Sequence, residues 1–217
     1  MLRIPSKKLL AQRRPTPHEV FLIMDAYKWD NRVRFVVRHM YDTDNNGYLD
    51  VNDFECLALK YTIYEGKGKY NVELHDKNKK VMHDLWTEMS ELADYNRDGN
   101  VTVEEFKQGV QGVCMGKTFE QFPQSLKHAI NCKFHATDVN CDGLVSLEEF
   151  RLDCVNRSAF QDIKEIDDCY DKLVNDADKA AGGINQARYQ ELYAQFIGSP
   201  ESDVPGCYLF GPLTVFE

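Results

Sequence analysis

Asp138-Val-Asn-Cys-Asp-Gly-Leu-Val-Ser-Leu-Glu-Glu149 is the stretch that decides how this chain folds. It fits D-x-[DN]-x-[DN]-G-x5-E at every fixed position, the spacing of a twelve-residue calcium loop. Calcium is a hard cation that takes six to eight oxygen ligands, and twelve residues suffice to wrap it once. Asp138, Asn140 and Asp142 stand at loop positions 1, 3 and 5, so alternate side chains turn inward. Gly143, at position 6, accepts a bend that a Cβ would hinder. Leu144, at position 7, can offer only its backbone carbonyl. Ser146, at position 9, is expected to ligate directly or through a water. Glu149, at position 12, is long enough to return with both carboxylate oxygens. The apolar Val145, at position 8, is expected to pair in a short strand with a partner loop.

A single Asp-rich match also occurs in other calcium folds, so repetition and flanking helices decide the matter. Both are present. Asp94-Tyr-Asn-Arg-Asp-Gly-Asn-Val-Thr-Val-Glu-Glu105 is a second full match, with Asp94, Asn96, Asp98, the Asn100 carbonyl and Glu105 as ligands. Asp42-Thr-Asp-Asn-Asn-Gly-Tyr-Leu-Asp-Val-Asn-Asp53 is a near match, with Asp42, Asp44, Asn46, the Tyr48 carbonyl and Asp53. Its last ligand is Asp rather than Glu. The shorter side chain implies a tighter loop or one-oxygen ligation, which suits the smaller, octahedral magnesium. Asp50, at position 9, adds a fourth acid to that loop.

Helical periodicity surrounds each loop. Val33, Val36, Val37 and Met40 mark an entry helix over residues 29–41, and an exit helix runs from Asp53 to about Tyr64. A long helix spans about Val72 to Ala93, with Val81, Leu85, Trp86, Met89 and Leu92 as its apolar stripe. The second exit helix carries Phe106, Val110 and Val113, and Gly112, Gly116 and Pro123 mark a linker near residues 116–122. The third loop is entered by a helix from about Gln124 to Thr137 and left by one carrying Phe150 and Leu152. Another helix covers about Ile163 to Asn175.

A fourth loop emerges only by register. The three good loops place an aliphatic residue at position 8 and an aromatic at position 13 (Phe54, Phe106, Phe150), and Ile184 and Tyr189 satisfy both if the loop is 177–188. Gly182 then sits at position 6, but Ala177, Lys179, Ala181 and Arg188 fill positions 1, 3, 5 and 12. The repeat survives without its acids, and Ile184 can still pair with Val145.

The predicted fold is all-α: four EF-hands in two paired lobes, packed into one compact domain, the fourth hand degenerate. The first pair spans 26–116 and the second 117–200. Residues 201–217 form an apolar tail (Tyr208, Leu209, Phe210, Leu213, Val215, Phe216) expected to pack on the core. Residues 1–25 differ: Arg3, Lys7, Lys8, Arg13 and Arg14 with three prolines predict a basic, loosely ordered extension.

Composition agrees. With 217 residues, 43% hydrophobic and 12% aromatic, the chain can build a sizeable core. Its net charge of −9 argues against nucleic acid as a partner. The acids are concentrated, with ten carboxylates at ligand positions of loops one to three (Asp42, Asp44, Asp50, Asp53, Asp94, Asp98, Glu105, Asp138, Asp142, Glu149). No run of eighteen apolar residues occurs, so no membrane span is expected. Seven widely spaced cysteines read as reduced thiols of an intracellular, cytoplasmic protein. The six histidines are scattered and form no nucleophile–base pattern, so no enzymatic activity is expected.

The chain resembles the arthropod sarcoplasmic calcium-binding proteins, relatives of the calexcitins. The resemblance covers about residues 27–217. It rests on Trp29-Asp-Asn-Arg-Val, Asp42-Thr-Asp-Asn-Asn-Gly ending in Asp53, Phe54-Glu-Cys-Leu-Ala, Glu91-Leu-Ala-Asp-Tyr-Asn, Tyr189-Gln-Glu-Leu-Tyr-Ala-Gln-Phe and Tyr208-Leu-Phe-Gly-Pro-Leu. It implies a four-hand protein with calcium or magnesium in loops one to three and a silent fourth hand. Three functional classes compete: a calcium buffer with magnesium exchange, a calexcitin-like sensor that opens an apolar surface, and a luciferin-binding cup of the photoprotein type. The buffer is favoured. Only six methionines occur, widely separated, and the apolar tail is long enough to cover a groove. Calcium ions are then the expected partners. No protein target is expected, and a homodimer stays open.

Overall fold

The computed structural model describes residues 25–157 and 162–215. The basic extension expected before residue 25 lies outside these, as does Phe216 of the tail.

The first helix, α1 (Trp29–Phe35), continues into a π-helical turn, Val36–Tyr41. There Asp42 N donates to Val37 O at 2.8 Å, an i to i−5 bond that no hydrophobic period reports. The exit helix α2 (Val51–Glu65) starts earlier than expected, because Asp50 caps it. The long helix α3 covers Val72–Ala93, capped by Asn71, and α4 covers Val103–Cys114, capped by Thr102. A 3-10 turn, Phe119–Gln121, occupies the linker, and both Phe119 and Phe122 are buried. Then come α5 (Gln124–Thr137), α6 (Leu147–Val155), α7 (Ile163–Leu173), α8 (Asp176–Ala181) and α9 (Gln186–Gly198). A second 3-10 turn, Pro205–Tyr208, opens the tail.

Four two-residue strands tie the hands into pairs. β1 (Tyr48–Leu49) runs antiparallel to β2 (Val101–Thr102), with Leu49 opposite Val101. β3 (Leu144–Val145) runs antiparallel to β4 (Ile184–Asn185), with Val145 opposite Ile184. The pairing of Val145 with the fourth loop's position 8 is the register expected from sequence. All four of these aliphatic side chains are essentially inaccessible to solvent.

The pairs are not independent. α3 and α2 pack on α5, and α9 packs on α1, α4 and α5. Arg32, on α1, is fully buried and reaches the far end of the chain. Its guanidinium donates to the carbonyls of Gln195, Phe196, Ser199 and Glu201 at 2.5–2.9 Å. These carbonyls lie at and just beyond the C-terminus of α9, where the helix dipole favours a cation. Burial pulls the Arg32 pKa below its usual value. The tail seals the same region. Phe210 is buried between Phe35, Tyr193 and Phe196, with ring centroids 6.0, 5.6 and 4.8 Å away. Leu209 and Leu213 are buried too, Asn31 Nδ2 donates to Thr214 O at 2.7 Å, and Val215 is 44% exposed.

Two residues of the predicted apolar stripes face out. Leu152 is 43% exposed because α6 buries Phe150 and Cys154, four residues apart, and Leu152 lies midway on the opposite face. Leu92 is 38% exposed on the rim of a small apolar hollow between α3 and α4. Met82 is a buried α3 side chain that the stripe leaves out. All seven cysteines are free thiols, five of them buried. Burial pushes Cys114 and Cys154 up to about 12.

Candidate metal centres

Each good loop is a ring of backbone amides folded around its own carboxylates. In the third loop Asp138 accepts from Asp142 N and Gly143 N at 3.2 and 3.0 Å. Asn140 Oδ1 accepts from Asp142 N at 2.8 Å, and Asp142 Oδ1 from Leu144 N at 2.9 Å. The second loop repeats this pattern: Asp94 accepts from Asp98 N and Gly99 N, Asn96 from Asp98 N, and Asp98 from Asn100 N. The first does the same with Asp42, Asp44 and Asn46, whose Oδ1 accepts from Tyr48 N at 3.0 Å.

The backbone bend needs two left-handed residues, not one. Gly47, Gly99 and Gly143 have φ of 95°, 82° and 84°. Asn45, Arg97 and Cys141, at loop position 4, also sit near 60°. Asn adopts this conformation readily; Arg and Cys do so against a steric cost that the rest of the loop overcomes. Cys141 is exposed, on the outside of its loop.

The position 9 residues turn out to be helix caps. Ser146 Oγ donates to Glu149 Oε2 at 2.8 Å and caps α6; Thr102 does the same with Glu105 for α4. Asp50 accepts from Asn52 N at 2.7 Å. Direct ligation by Ser146 therefore competes with its cap. The position 12 carboxylates close the rings to different degrees. Glu149 Oε1 crosses the third loop to Asn140 N at 3.1 Å, and Asp53 Oδ1 crosses the first to Thr43 N at 2.7 Å. Glu105 is bonded to Thr102 on its own side. Asp42, Asp53, Asp138 and Glu149 are buried, whereas loop two is largely exposed.

In loop one the carboxylate oxygens of Asp42, Asp44 and Asp53 lie within 4.8 Å of one another. Burial pushes the Asp42 carboxyl above the ordinary carboxylate range, and the charges of Asp53 and Asp44 push the same way. Arg38 Nη1 stands 3.8 Å from Asp42 Oδ2 and offsets part of that repulsion. The donor sets are carboxylates, amide oxygens and carbonyls, which suit a hard divalent cation.

The fourth loop has a different interior. Residues 176–181 continue as helix, and only Gly182, with φ 89°, keeps the left-handed bend. Arg188 Nε reaches back to Asp178 Oδ2 at 3.3 Å, the carboxylate being buried and the arginine partly so. Ligand spacing does not reveal this ion pair, because Asp178 is not at a ligand position. The Asn175-to-Asp178 capping box is the signal that could have found it. For Arg38 the corresponding signal is its i,i+4 spacing to Asp42.

An EF-hand domain pair model matches residues 37–111. Sarcoplasmic calcium-binding protein 1 of Astacus leptodactylus is 60% identical over 188 residues, spanning 87% of this chain and 98% of that protein. This chain belongs to the sarcoplasmic calcium-binding protein family. A second member, the alpha chain of Penaeus vannamei, is 56% identical over 192 residues, covering 88% of this chain and all of that protein. The family fold is also recognisable at greater distance. The sarcoplasmic calcium-binding protein of amphioxus superposes with a TM-score of 0.70 at 24% identity, covering 84% of this chain and 96% of that one. Among the described residues, no helix is long and apolar enough to cross a membrane.

Proposed function

We propose that this chain binds three calcium ions, one in each of loops 42–53, 94–105 and 138–149, and acts as a buffer. The ligands are Asp42, Asp44, Asn46, the Tyr48 carbonyl and Asp53; Asp94, Asn96, Asp98, the Asn100 carbonyl and Glu105; Asp138, Asn140, Asp142, the Leu144 carbonyl and Glu149. The observation that supports this is the repeated ring: in three loops the glycine amide donates to the position 1 carboxylate, and in the first the carboxylates of Asp42, Asp44 and Asp53 lie within 4.8 Å of one another. Magnesium competes, most strongly in loop one, where Asp53 is short. The protein works in the cytoplasm of the cell.

Buffering rather than sensing is supported by the tail. Phe210 fills the space among α1 and α9 that an incoming target helix would need. The apolar hollow between α3 and α4 measures about 50 Å³, room for very few waters and for no helix. A calorimetric calcium titration with and without millimolar magnesium tests stoichiometry and competition together. Three ions, with one site weakened by magnesium, is the expected result; four ions would overturn the silent-hand assignment. Strong binding of a hydrophobic dye by the calcium-loaded protein would favour the sensor.

A further inference from the structure

Beside loop one lies a cleft of about 340 Å³ with a basic wall: Arg38, His39, Cys56, Lys60, Asn156 and Arg157 line it. A smaller recess behind it shares Lys60 and Arg157 and adds Lys133 and Asp153. Four side-chain cations therefore meet two carboxylates, Asp153 and Asp42. Asp153 is already shared between Lys133 and Arg157. Arg157 is fixed: its side chain is 6% exposed and Nη2 donates to Phe210 O at 3.2 Å. Its guanidinium lies over the rings of Phe35 and Phe210, 5.8 and 5.1 Å from their centroids. Yet Nη1 is buried with no hydrogen-bond partner among the described residues. A buried guanidinium N–H left open loses its hydration without a replacement, so such an atom calls for an acceptor. Burial lowers the Lys60 pKa most; Asp153 raises it, and Arg157 lowers it again by less. Arg157 and Arg38 both bear on His39 in the same sense, after burial.

We propose that this cleft is a binding site for a phosphate group, held by Lys60, Arg157 and Arg38 and coupled to loop one. A tetrahedral dianion matches the surplus of positive charge, and the fork of a guanidinium matches its oxygens. The volume has room for a small organic group attached to the phosphate. The coupling rests on the reading of loop one as a calcium site. Arg38 pairs with Asp42, the first ligand of that loop. Calcium that takes over the Asp42 carboxylate leaves Arg38 to the cleft, and an anion that draws Arg38 away leaves Asp42 to the metal. The two ligands then strengthen each other's binding by one common factor.

The probes are inorganic phosphate and glycerol 3-phosphate, applied to the full chain at constant ionic strength with chloride as reference. Alkylation of Cys56, which lines the cleft, is followed at saturating calcium, with the exposed Cys141 as internal reference. Phosphate is expected to slow Cys56 at least about threefold relative to Cys141, and Lys60→Gln to abolish that protection. Calcium titration should show loop one tightened about fivefold by phosphate, at the low end of usual couplings. Equal protection by chloride, or protection that survives Lys60→Gln, overturns the site. Protection without any change in loop-one affinity overturns the coupling. A chain that takes up only two calcium ions in chloride faults the loop-one assignment itself, not the cleft. Glycerol 3-phosphate binding as tightly as phosphate identifies a phosphate ester as the ligand; its exclusion identifies the free anion.

Discussion

Residues 138–149 and 177–188 lie on the two sides of one short ribbon, with Val145 opposite Ile184. Both keep the glycine at position 6 and an aromatic residue just after position 12, Phe150 and Tyr189, both buried. Their interiors differ. In the first, amides point at Asp138, Asn140 and Asp142, and Glu149 closes the ring. In the second, the corresponding residues have become helix α8, and Arg188 closes onto Asp178. The ribbon and the metal ring are therefore separable. Pairing needs an aliphatic residue at position 8 and a bend before it. The ring needs acids, and without them the backbone relaxes into helix while an internal cation takes the place of an external one.

The widest gap between the two regions should open on chelation. Each site saturated at about a thousandfold over its dissociation constant contributes about 4 kcal/mol, so three sites contribute about 12 kcal/mol. Removing divalent ions should therefore lower Tm by more than about 10 °C. Amides of 138–149 should gain hydrogen exchange far more than those of 176–189, whose cation is covalent. Uniform loss of protection across both would erase the distinction.

Single substitutions should then separate binding from stability. Glu149→Gln should remove one ion from the calorimetric titration. Arg188→Gln should leave the stoichiometry at three but cost about 3 kcal/mol in urea unfolding, because it strands a buried carboxylate. An Arg188→Gln variant as stable as the parent would mean the pair holds nothing together.

A more demanding experiment tries to turn one region into the other. Arg188→Glu alone should bind no fourth ion, since helix α8 presents no ring and the introduced carboxylate would face Asp178. Adding Ala177→Asp, Lys179→Asp and Ala181→Asp should recover a weak site, seen as a fourth, magnesium-sensitive step. Recovery by Arg188→Glu alone would show that the helix is no obstacle.

The smallest effect belongs to loop one. Asp53→Glu should shift it toward calcium over magnesium by roughly tenfold, by restoring two-oxygen reach. Competition titrations measure this directly, and an unchanged or higher magnesium affinity would discard the reach argument.

Much of this architecture is legible in the sequence. The helices 72–93 and 124–137 have the predicted bounds, because periodicity and, ahead of them, the Asn71 cap and Pro123 are local signals. The fourth hand shows itself by register, because Ile184 and Tyr189 have to face the same partners as Val145 and Phe150. What the sequence conceals depends on residues far apart meeting. Arg32 reads as an ordinary helix charge until the end of α9 is placed over it. Arg157 reads as a surface residue until Phe35 and Phe210 enclose it. Leu152 fits an apolar pattern until α7 is seen on the other side of α6.

The reach of Arg32 across the molecule has a consequence for the order of folding during synthesis. Its acceptors, the carbonyls of Gln195, Phe196, Ser199 and Glu201, leave the ribosome after all four loops have been made. Until then the first helix carries a cation it cannot bury, and Phe35 lacks the Phe210 ring that covers it. The early hands can form their ribbon, but they cannot close. The chain should therefore pass through a loose, chaperone-accessible intermediate and lock only once α9 and the tail have followed, in one late cooperative step.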